Sequence, residues 1–584
     1  NNKMRTILLL AEKPDQAKKY ANALGTPKKT DTGWDVYSEQ LSAQVLVRPA
    51  VGHLVERSNP WTNFENWESV ERLPMFPDHF EFDIKKNTKK NFNAIKNAIK
   101  TVDSIMIGTD PDREGEAIAY YILNKIPGSL KKVSYRLWAN SLTQKGLDMA
   151  FRNLRRPEET VNYYHEAEAR GEADWLVGFN LSPFTTLMMR DHELIPEKSK
   201  GMTVGRVQTP IVSLIVKNNE EIENFVSKPF WQLRLFDQTN QVAFSHEAKF
   251  ETEAEAVEAL ELLSDRATIT QVSSEKKSKT APKLYNLTDI QAEMSKLYKF
   301  DADRTKSIIQ SLYQKGYMSY PRTNSNLITT NEFDYLVEHI DDYQAAIGKT
   351  IETPNRSPRK FFVNDKKVVE HYAIIPTEII PDMEELEKEE RLIYQMVTFR
   401  TLLMFAPDYE YTSTSITLDN NGQEFKTTGS VTLSKGWQVY LPSQSKEQVL
   451  PPYQEGQEIA VERQLKEDAT KPPQRITENS LLKKWLPKYS LGTPATRDAM
   501  IKSVQDKGYI TKDKKSGQLF PTERGILLIH YLDKLNIAYT NPETTGKWET
   551  ALAKIGEGKM KKEDFVAKVR LAITKQIERG KEIG

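Results

Sequence analysis

Residues 109–117 read TDPDREGEA, and Asp110, Asp112 and Glu114 alternate through the stretch. Alternate residues of an extended segment share a face, so Asp110 and Asp112 can converge. Converging carboxylates repel each other and need a cation or a raised pKa. An all-oxygen donor set of this kind suits Mg2+. Spacing alone fits equally a solvated acidic turn that caps the following helix, with acids in its first turn. A further acid, Glu12, stands beside Lys13 just after the apolar run RTILLL. The third stretch is GYMSYPRTNS at 316–325, where Tyr320 is followed by Pro321 and Arg322. A tyrosine that attacks a phosphodiester must lose a proton held at a pKa of about 10. It also needs positive charge on the non-bridging oxygens, for which arginine is the suitable planar donor. Pro321 biases Tyr320 to extended backbone, which turns Tyr320 and Arg322 to the same side. Three residues are easily matched by chance, so a surface turn with an incidental arginine also fits.

The elements that must position these groups follow from hydrophobic patterning. RTILLL at 5–10, AQVLVRPAVGHL at 43–54 and DSIMIGTD at 103–110 read as strands. PDQAKKYANAL from Pro14 and GEAIAYYILNKI at 115–126 read as helices. The alternation predicts a parallel sheet covered on both faces and closing near residue 150. Ligands of such sheets lie beyond the carboxyl ends of the strands, and Glu12 and the 110–114 acids stand at equivalent strand ends. Residues 157–220 then read as helical, 229–279 as strands, 286–345 as helical and 409–440 as strands. A polar, proline-containing stretch over 441–475 links to a helical tail. The simplest organisation is one β domain whose chain leaves, builds a helical domain and returns.

Composition bounds the function. The formal net charge of the 584 residues is +1, so there is no global cationic field, and nucleic acid has to be held by local basic patches. KKNTKKNFNAIKNAIK at 85–100 is one such patch, or else a solvated helix face. The absence of cysteine excludes disulfides, thiol catalysis and cysteine-ligated zinc. No apolar run approaches the ~20 residues of a membrane-spanning helix, and NNKMRTILLLAEKP lacks the pattern of a signal peptide. A soluble, intracellular protein of roughly three to five domains is expected. No GxxxxGK[ST] phosphate loop occurs, so ATP hydrolysis is not expected.

A glutamate after the first strand and Asp-x-Asp-x-Glu after a later one resemble the TOPRIM fold of topoisomerases and bacterial primases. AEKP together with TDPDREGEAIA resembles the type IA topoisomerase form of that fold. GYMSYPRTNS resembles the active-site segment of the same family. Further segments are similar to it and run in family order across nearly the whole chain: GHL at 52–54, EADWLVGFNLS at 172–182, VGRVQTP at 204–210, APKLYNLTDIQ at 281–291, HYAIIPT at 371–377, GTPATR at 492–497 and PTERG at 521–525. PKLYNLTDIQ and YPRT look most like the bacterial topoisomerase III branch. Asn324 departs from the pattern, which commonly has Asp there; it keeps the hydrogen-bonding shape and loses the charge.

The resemblance implies a multidomain toroid of α/β, α and β parts. A TOPRIM domain would span 4–152, a helical DNA-binding gate domain 153–215 and 465–584, a β arch 216–280 and 407–464, and a helical domain with Tyr320 281–406. It implies ATP-independent cleavage of single-stranded DNA through a 5′-phosphotyrosyl bond, passage of a strand or duplex, and religation. Tyr320 is then the nucleophile. Arg322 and Lys13 stand beside the phosphate, Glu12 handles the 3′-hydroxyl proton, and His371 contacts the backbone or assists proton transfer. Glu12, Asp110, Asp112 and Glu114 would hold Mg2+, with Mn2+ as a substitute and no zinc. DNA contacts would come from His53, Arg170, Trp175, Arg206, Gln208, Arg322 and Arg497. Trp67 would stack on a base, with Trp61 as the alternative. The implied partners are single-stranded, negatively supercoiled or catenated DNA and a helicase, for a monomer in the bacterial cytoplasm at the nucleoid or on plasmids. A TOPRIM primase or nuclease with a structural Tyr320 is the alternative.

Overall fold

The computed structural model describes residues 3–58, 69–443 and 446–583. The apolar run predicted as the first strand is β1 (Thr6–Ala11), followed by α1 (Pro14–Leu24) and by β2 (Lys28–Thr30), β3 (Gly33–Ser38) and β4 (Ala43–Pro49). A short antiparallel pair, β5 (Val55–Arg57) and β6 (Phe82–Ile84), precedes α2 (Lys89–Thr101). Then come β7 (Ser104–Gly108), α3 (Arg113–Asn124), β8 (Val133–Arg136) and α4 (Gln144–Arg152). The sheet order is β2-β3-β4-β1-β7-β8. β1 runs parallel to β4 and β7, and the register pairs Ala11 with both Pro49 and Gly108. The carboxyl ends of the first strand and of the strand before the acids therefore lie side by side. The expected all-parallel sheet is antiparallel at one edge, because only residues 31–32 separate β2 from β3 and so short a link forces a hairpin.

Both faces of the sheet are covered. Phe92, Ile95, Ile118 and Ile122 of α2 and α3 pack with Leu8 and Leu10. Tyr20, Leu147 and Phe151 of α1 and α4 pack with Ile7 and Leu9 on the other side, and this second cluster also contains Tyr313 and Tyr320. Alternation along β1 thus sends side chains to two separate cores.

The 35-residue α5 (Pro157–Asp191) and α6 (Gln208–Glu223) share a core with four helices near the C-terminus, Arg497–Asp506, Glu523–Lys534, Pro542–Gly556 and Lys562–Ile583. Next come β9 (Pro229–Asp237), β10 (Val242–Ser245), α7 (Glu253–Glu261) and β11 (Arg266–Lys279). The chain then leaves the sheet, builds a helical unit with its own core from Ala281 to Ala406, and returns at β12 (Tyr409–Asn420) and β13 (Gln423–Ser434). β14 (Glu458–Ala460) and β15 (Glu462–Ala469) complete a seven-stranded sheet of order β14-β11-β12-β13-β10-β9-β15. Two local expectations fail here. GWQVYL is not a strand, because Gly436–Val439 form a 3-10 turn and Trp437 Nε1 donates to the Lys279 carbonyl at 3.0 Å. The polar stretch after 441 is not only a linker. ERQLKEDA forms the edge strand β15 on β9, and edge strands favour charge, which conceals them from hydrophobic patterning.

Candidate active site where the sheet meets the tyrosine segment

The acids are held by the ends of β1 and β7. The Glu12 N–H donates to Gln16 Oε1 at 2.8 Å, and Gln16 Nε2 donates to Asp110 Oδ1 at 2.9 Å. The Asp110 N–H donates to Glu12 Oε1 at 3.3 Å. Asp112 is the N-cap of α3, accepting the Gly115 N–H at 2.7 Å. Gly115 has no substitute here, since a Cβ would lie 1.9 Å from the Asp110 carbonyl oxygen. Behind this turn Arg136 and Glu116 form a wholly buried ion pair. Arg136 also donates to the carbonyls of Thr109 and Asp110 at 2.7 Å each, so it pins the strand end that carries the acids. Glu116→Ala leaves that guanidinium buried and uncompensated. Its expected cost is about 3–5 kcal/mol, read as a lower guanidinium chloride midpoint.

Tyr320 and Arg322 reach the same carboxylate. The Tyr320 hydroxyl donates to Asp112 Oδ2 at 2.7 Å, and Arg322 Nη1 donates to that oxygen at 3.1 Å and to Glu114 Oε2 at 2.8 Å. Tyr320 is 1% exposed and meets Tyr313 edge-on at 5.2 Å. Burial raises its pKa well above the ordinary value, Asp112 adds to the rise and Arg322 opposes it. Burial, Asp110 and Asp112 likewise push the Glu12 carboxyl well up. Asp110 is raised chiefly by burial, against Arg322 and Lys13. Glu114 goes the other way: burial opposes ionisation, yet the His53 hydrogen bond at 3.0 Å and Arg322 bring it down to about 2. Burial thus pushes Glu12 towards its protonated form while His53 and Arg322 hold Glu114 ionised, a difference that no spacing argument could assign.

His371 lies under the same roof. Its ring is 5.0 Å from that of Tyr320 and stacks on Trp138 at 5.8 Å. Burial pulls its pKa down to about 4, although Glu370 and Asp112 oppose this. Above pH of about 6.5 the imidazole is neutral in both folded and unfolded chains. As pH falls from there towards 4 only the unfolded chain takes up the proton, so stability is lost across that window, by roughly 3 kcal/mol in all. His371→Gln should flatten that part of the stability–pH curve, measured as unfolding midpoints between pH 4 and 7.

A cavity of about 820 Å³ opens beside these groups, lined by His53, Glu114, Arg170, Lys306, Arg322, Asn324 and His371 among others. Asn324, the odd residue of its segment, is exposed to it, while its carbonyl accepts from Asn286 Nδ2 at 3.2 Å. The other expected DNA contacts fare differently. Arg170 lines the cavity but is paired with Glu549 at 2.7 Å. Arg206 is wholly buried between Asp174 and Glu549, at 2.9 and 2.7 Å. In this arrangement it is a buried charge that ties the helices together, with its Nη2 left without a partner beside the second cavity. Trp175 is likewise a packing residue here, stacked on Phe179 at 4.8 Å and edge-on to Phe80 at 5.2 Å. Arg497 is buried and bonded to the Leu491 carbonyl and to Thr288 Oγ1, at 3.0 Å each. Gln208 is held by Lys507 at 2.8 Å and lines a second cavity of about 390 Å³. Trp67 and Trp61 lie outside the described residues.

Among the described residues no three acids or histidines form a ready metal cage. Asp112 is occupied by Tyr320, Arg322 and the helix cap, and Glu114 by Arg322 and His53. One observation still favours a cation: Asp110 Oδ2 is buried without a hydrogen-bond partner, and an unpartnered buried carboxylate oxygen is costly. The all-oxygen set fits Mg2+, which uses one or two carboxylates and keeps its waters.

Patterning did not indicate Arg113, Glu370 and Asn140. Arg113 joins α3 to Glu166 of α5 at 2.6 Å and to Glu370 at 3.1 Å. Its only sequence signal was its place inside the acidic motif. Asn140 had none.

The DNA topoisomerase family matches this chain over residues 158–567 and the Toprim domain over 7–142. The chain is similar to DNA topoisomerase 3 of Bacillus subtilis (strain 168), at 31% identity over 606 residues that span 96% of this chain and 80% of the relative. It is similar also to DNA topoisomerase 3 of Bacillus cereus, at 31% over 611 residues, 97% of this chain and 80% of the relative. The structure of full-length topoisomerase I from Thermotoga maritima superposes with a TM-score of 0.70 at 22% identity, covering 98% of this chain and 90% of that one. The shared architecture is a TOPRIM α/β domain, helical domains and a β arch forming a toroid. The match over 158–567 sets aside the primase and nuclease alternative. The chain belongs to the type IA DNA topoisomerases, isomerases that change DNA topology.

Proposed function

We propose that Tyr320 cleaves one DNA strand by attacking a backbone phosphate, with Arg322 as the clamp on the non-bridging oxygens. The observation that supports this most is the convergence of the Tyr320 hydroxyl and Arg322 Nη1 on Asp112 Oδ2, at 2.7 and 3.1 Å. The Tyr320 oxygen forms the new bond to phosphorus, and the bond from phosphorus to the 3′-oxygen breaks. The tyrosine proton, held by Asp112 in the closed arrangement, passes to a neighbouring base as the tyrosine turns to the phosphate. The departing 3′-oxygen takes a proton from Glu12, whose protonated form burial and its acidic neighbours favour. Lys13, whose charge already reaches Asp110, stands beside the phosphate. Reversal of each transfer reseals the strand without ATP.

In this closed arrangement Tyr320 is out of reach of DNA. Entry of a strand must part residues 320–322 from the α3 turn, and a phosphate in the cavity replaces Asp112 and Glu114 as the partner of Arg322. Asp110, with its unpartnered oxygen, and the ionised Glu114 would hold Mg2+. Bound there, the ion adds positive charge beside the developing alkoxide. A strand would run past His53 and Arg170 in the larger cavity and Gln208 and Arg206 in the smaller one, whereas Arg497 and Trp175 are buried in the packing. The substrate would be single-stranded segments of negatively supercoiled or catenated DNA, such as a helicase exposes, handled by a monomer at the nucleoid or on plasmids in the bacterial cytoplasm. No helix among the described residues is long and apolar enough to cross a membrane.

Chelation tests the metal part. EDTA should stop relaxation of negatively supercoiled plasmid, and added Mg2+ or Mn2+ should restore it. Full relaxation in EDTA would remove the ion from the mechanism.

A further inference from the structure

Asn140 touches both halves of the reactive centre. It lies between β8 and α4 on the TOPRIM side, and its carbonyl accepts the Tyr320 N–H at 3.0 Å. Its side-chain oxygen lies 2.9 Å from His371 Nδ1, and its Nδ2 donates to the Glu370 carbonyl at 3.3 Å. That same carbonyl accepts Trp138 Nε1 at 3.0 Å, and the Glu370 carboxylate is gripped by Arg113 at 3.1 and 3.3 Å. The 370–371 segment is thus fixed at its side chain, its carbonyl and its imidazole.

These contacts settle the orientation of the amide. A backbone carbonyl only accepts, so the NH2 of Asn140 must face Glu370. Its Oδ1 then faces His371 and can only accept, so Nδ1 must carry the proton. A neutral imidazole has one ring proton, which leaves Nε2 bare. Among the described residues Nε2 has no hydrogen-bond partner, and His371 lines the cavity.

We propose that Asn140 is a positioning residue for strand cleavage: it locks His371 in the Nδ1–H tautomer and couples that ring to the Tyr320 backbone across the domain boundary. A bare Nε2 cannot donate to a phosphate oxygen. The partner of His371 in the reaction is therefore a hydroxyl, that of Tyr320 as it leaves Asp112. This favours the proton-handling role over the phosphate contact, the two alternatives left open by the sequence. The inference rests on Tyr320 being the nucleophile.

The test is a double-mutant cycle on single-turnover cleavage of a single-stranded oligonucleotide by the full chain with Mg2+. Asn140→Ala should slow cleavage about tenfold or more, with oligonucleotide affinity within about twofold of the parent. Asn140→Asp keeps an acceptor oxygen facing Nδ1 but sets its other oxygen against the Glu370 carbonyl, so it should recover only part of the rate. In a His371→Ala background, Asn140→Ala should cost less than about twofold, because residues acting as one unit are not additive. Imidazole 15N shifts should report protonated Nδ1 in the parent and a mixture of tautomers in Asn140→Ala. A full tenfold cost that persists without His371, or an unchanged tautomer in Asn140→Ala, would overturn the proposal. Either result leaves the Tyr320 assignment standing, since that fails separately if Tyr320→Phe still forms a covalent adduct.

Discussion

Tyr320→Phe gives no covalent protein–DNA adduct on single-stranded DNA, and its plasmid relaxation falls below about 10⁻⁴ of the parent rate. The change removes one oxygen. The ring keeps its edge contact with Tyr313 at 5.2 Å and its place beside His371 at 5.0 Å. Asp112 loses the tyrosine hydroxyl but retains Arg322 and the Gly115 N–H, so no buried acceptor is left empty. Folding should change by no more than about 1 kcal/mol, and DNA affinity should survive. The informative competitor is Tyr313, whose hydroxyl is committed to the Ala139 carbonyl at 3.0 Å. An adduct in the Phe variant would sink the assignment of Tyr320. An adduct lost again on adding Tyr313→Phe would move the nucleophile one helical segment back. The experiment is a denaturing gel of enzyme and labelled oligonucleotide, with melting temperature and filter binding read on the same samples.

The sequence disclosed the parts of this site whose chemistry is local. Strand ends next to acids, and a tyrosine two residues from an arginine, are patterns with short reach. The sheet order then brings Glu12 beside Asp110 because β1 and β7 are parallel neighbours that end together at Ala11 and Gly108. Pairings made over long separations were not legible. Arg113 with Glu370 is 257 residues apart, and Arg206 with Glu549 is 343 apart. An arginine in a motif looks the same on the page whether it faces DNA or a buried glutamate, and for Arg206 the glutamate lies on a helix whose packing no periodicity foretells. The edge strands β14 and β15 were missed for a different reason. Strands paired on one side and wet on the other need no apolar alternation.

Arg322→Ala should lower the cleavage rate by about 10²–10³ while leaving most of the affinity for single-stranded DNA. In this structure the arginine is spent on Asp112 and Glu114, at 3.1 and 2.8 Å, and its Nε is buried without a partner. A guanidinium with its Nε and Nη2 donors unused on a cavity wall is ready to exchange carboxylates for a phosphate. That exchange delivers charge to the non-bridging oxygens only when the strand is seated, so its loss falls on the chemical step rather than on binding. Removal of Arg322 also relaxes the depression of Glu114, now at about 2, and leaves Asp112 to hold the tyrosine alone. Arg322→Lys separates charge from shape. A lysine keeps the cation but lacks the planar fork, and it should recover less than about tenfold of the lost rate. Single-turnover cleavage under saturating enzyme reads the step directly, and oligonucleotide affinity measured in EDTA reads binding without chemistry. Cleavage by Arg322→Ala within about threefold of the parent would show that the phosphate is clamped elsewhere, with Lys306 and Lys13 the next cations to remove. Equal losses in affinity and rate would make Arg322 a binding residue, and the transition-state role argued from its geometry would not stand.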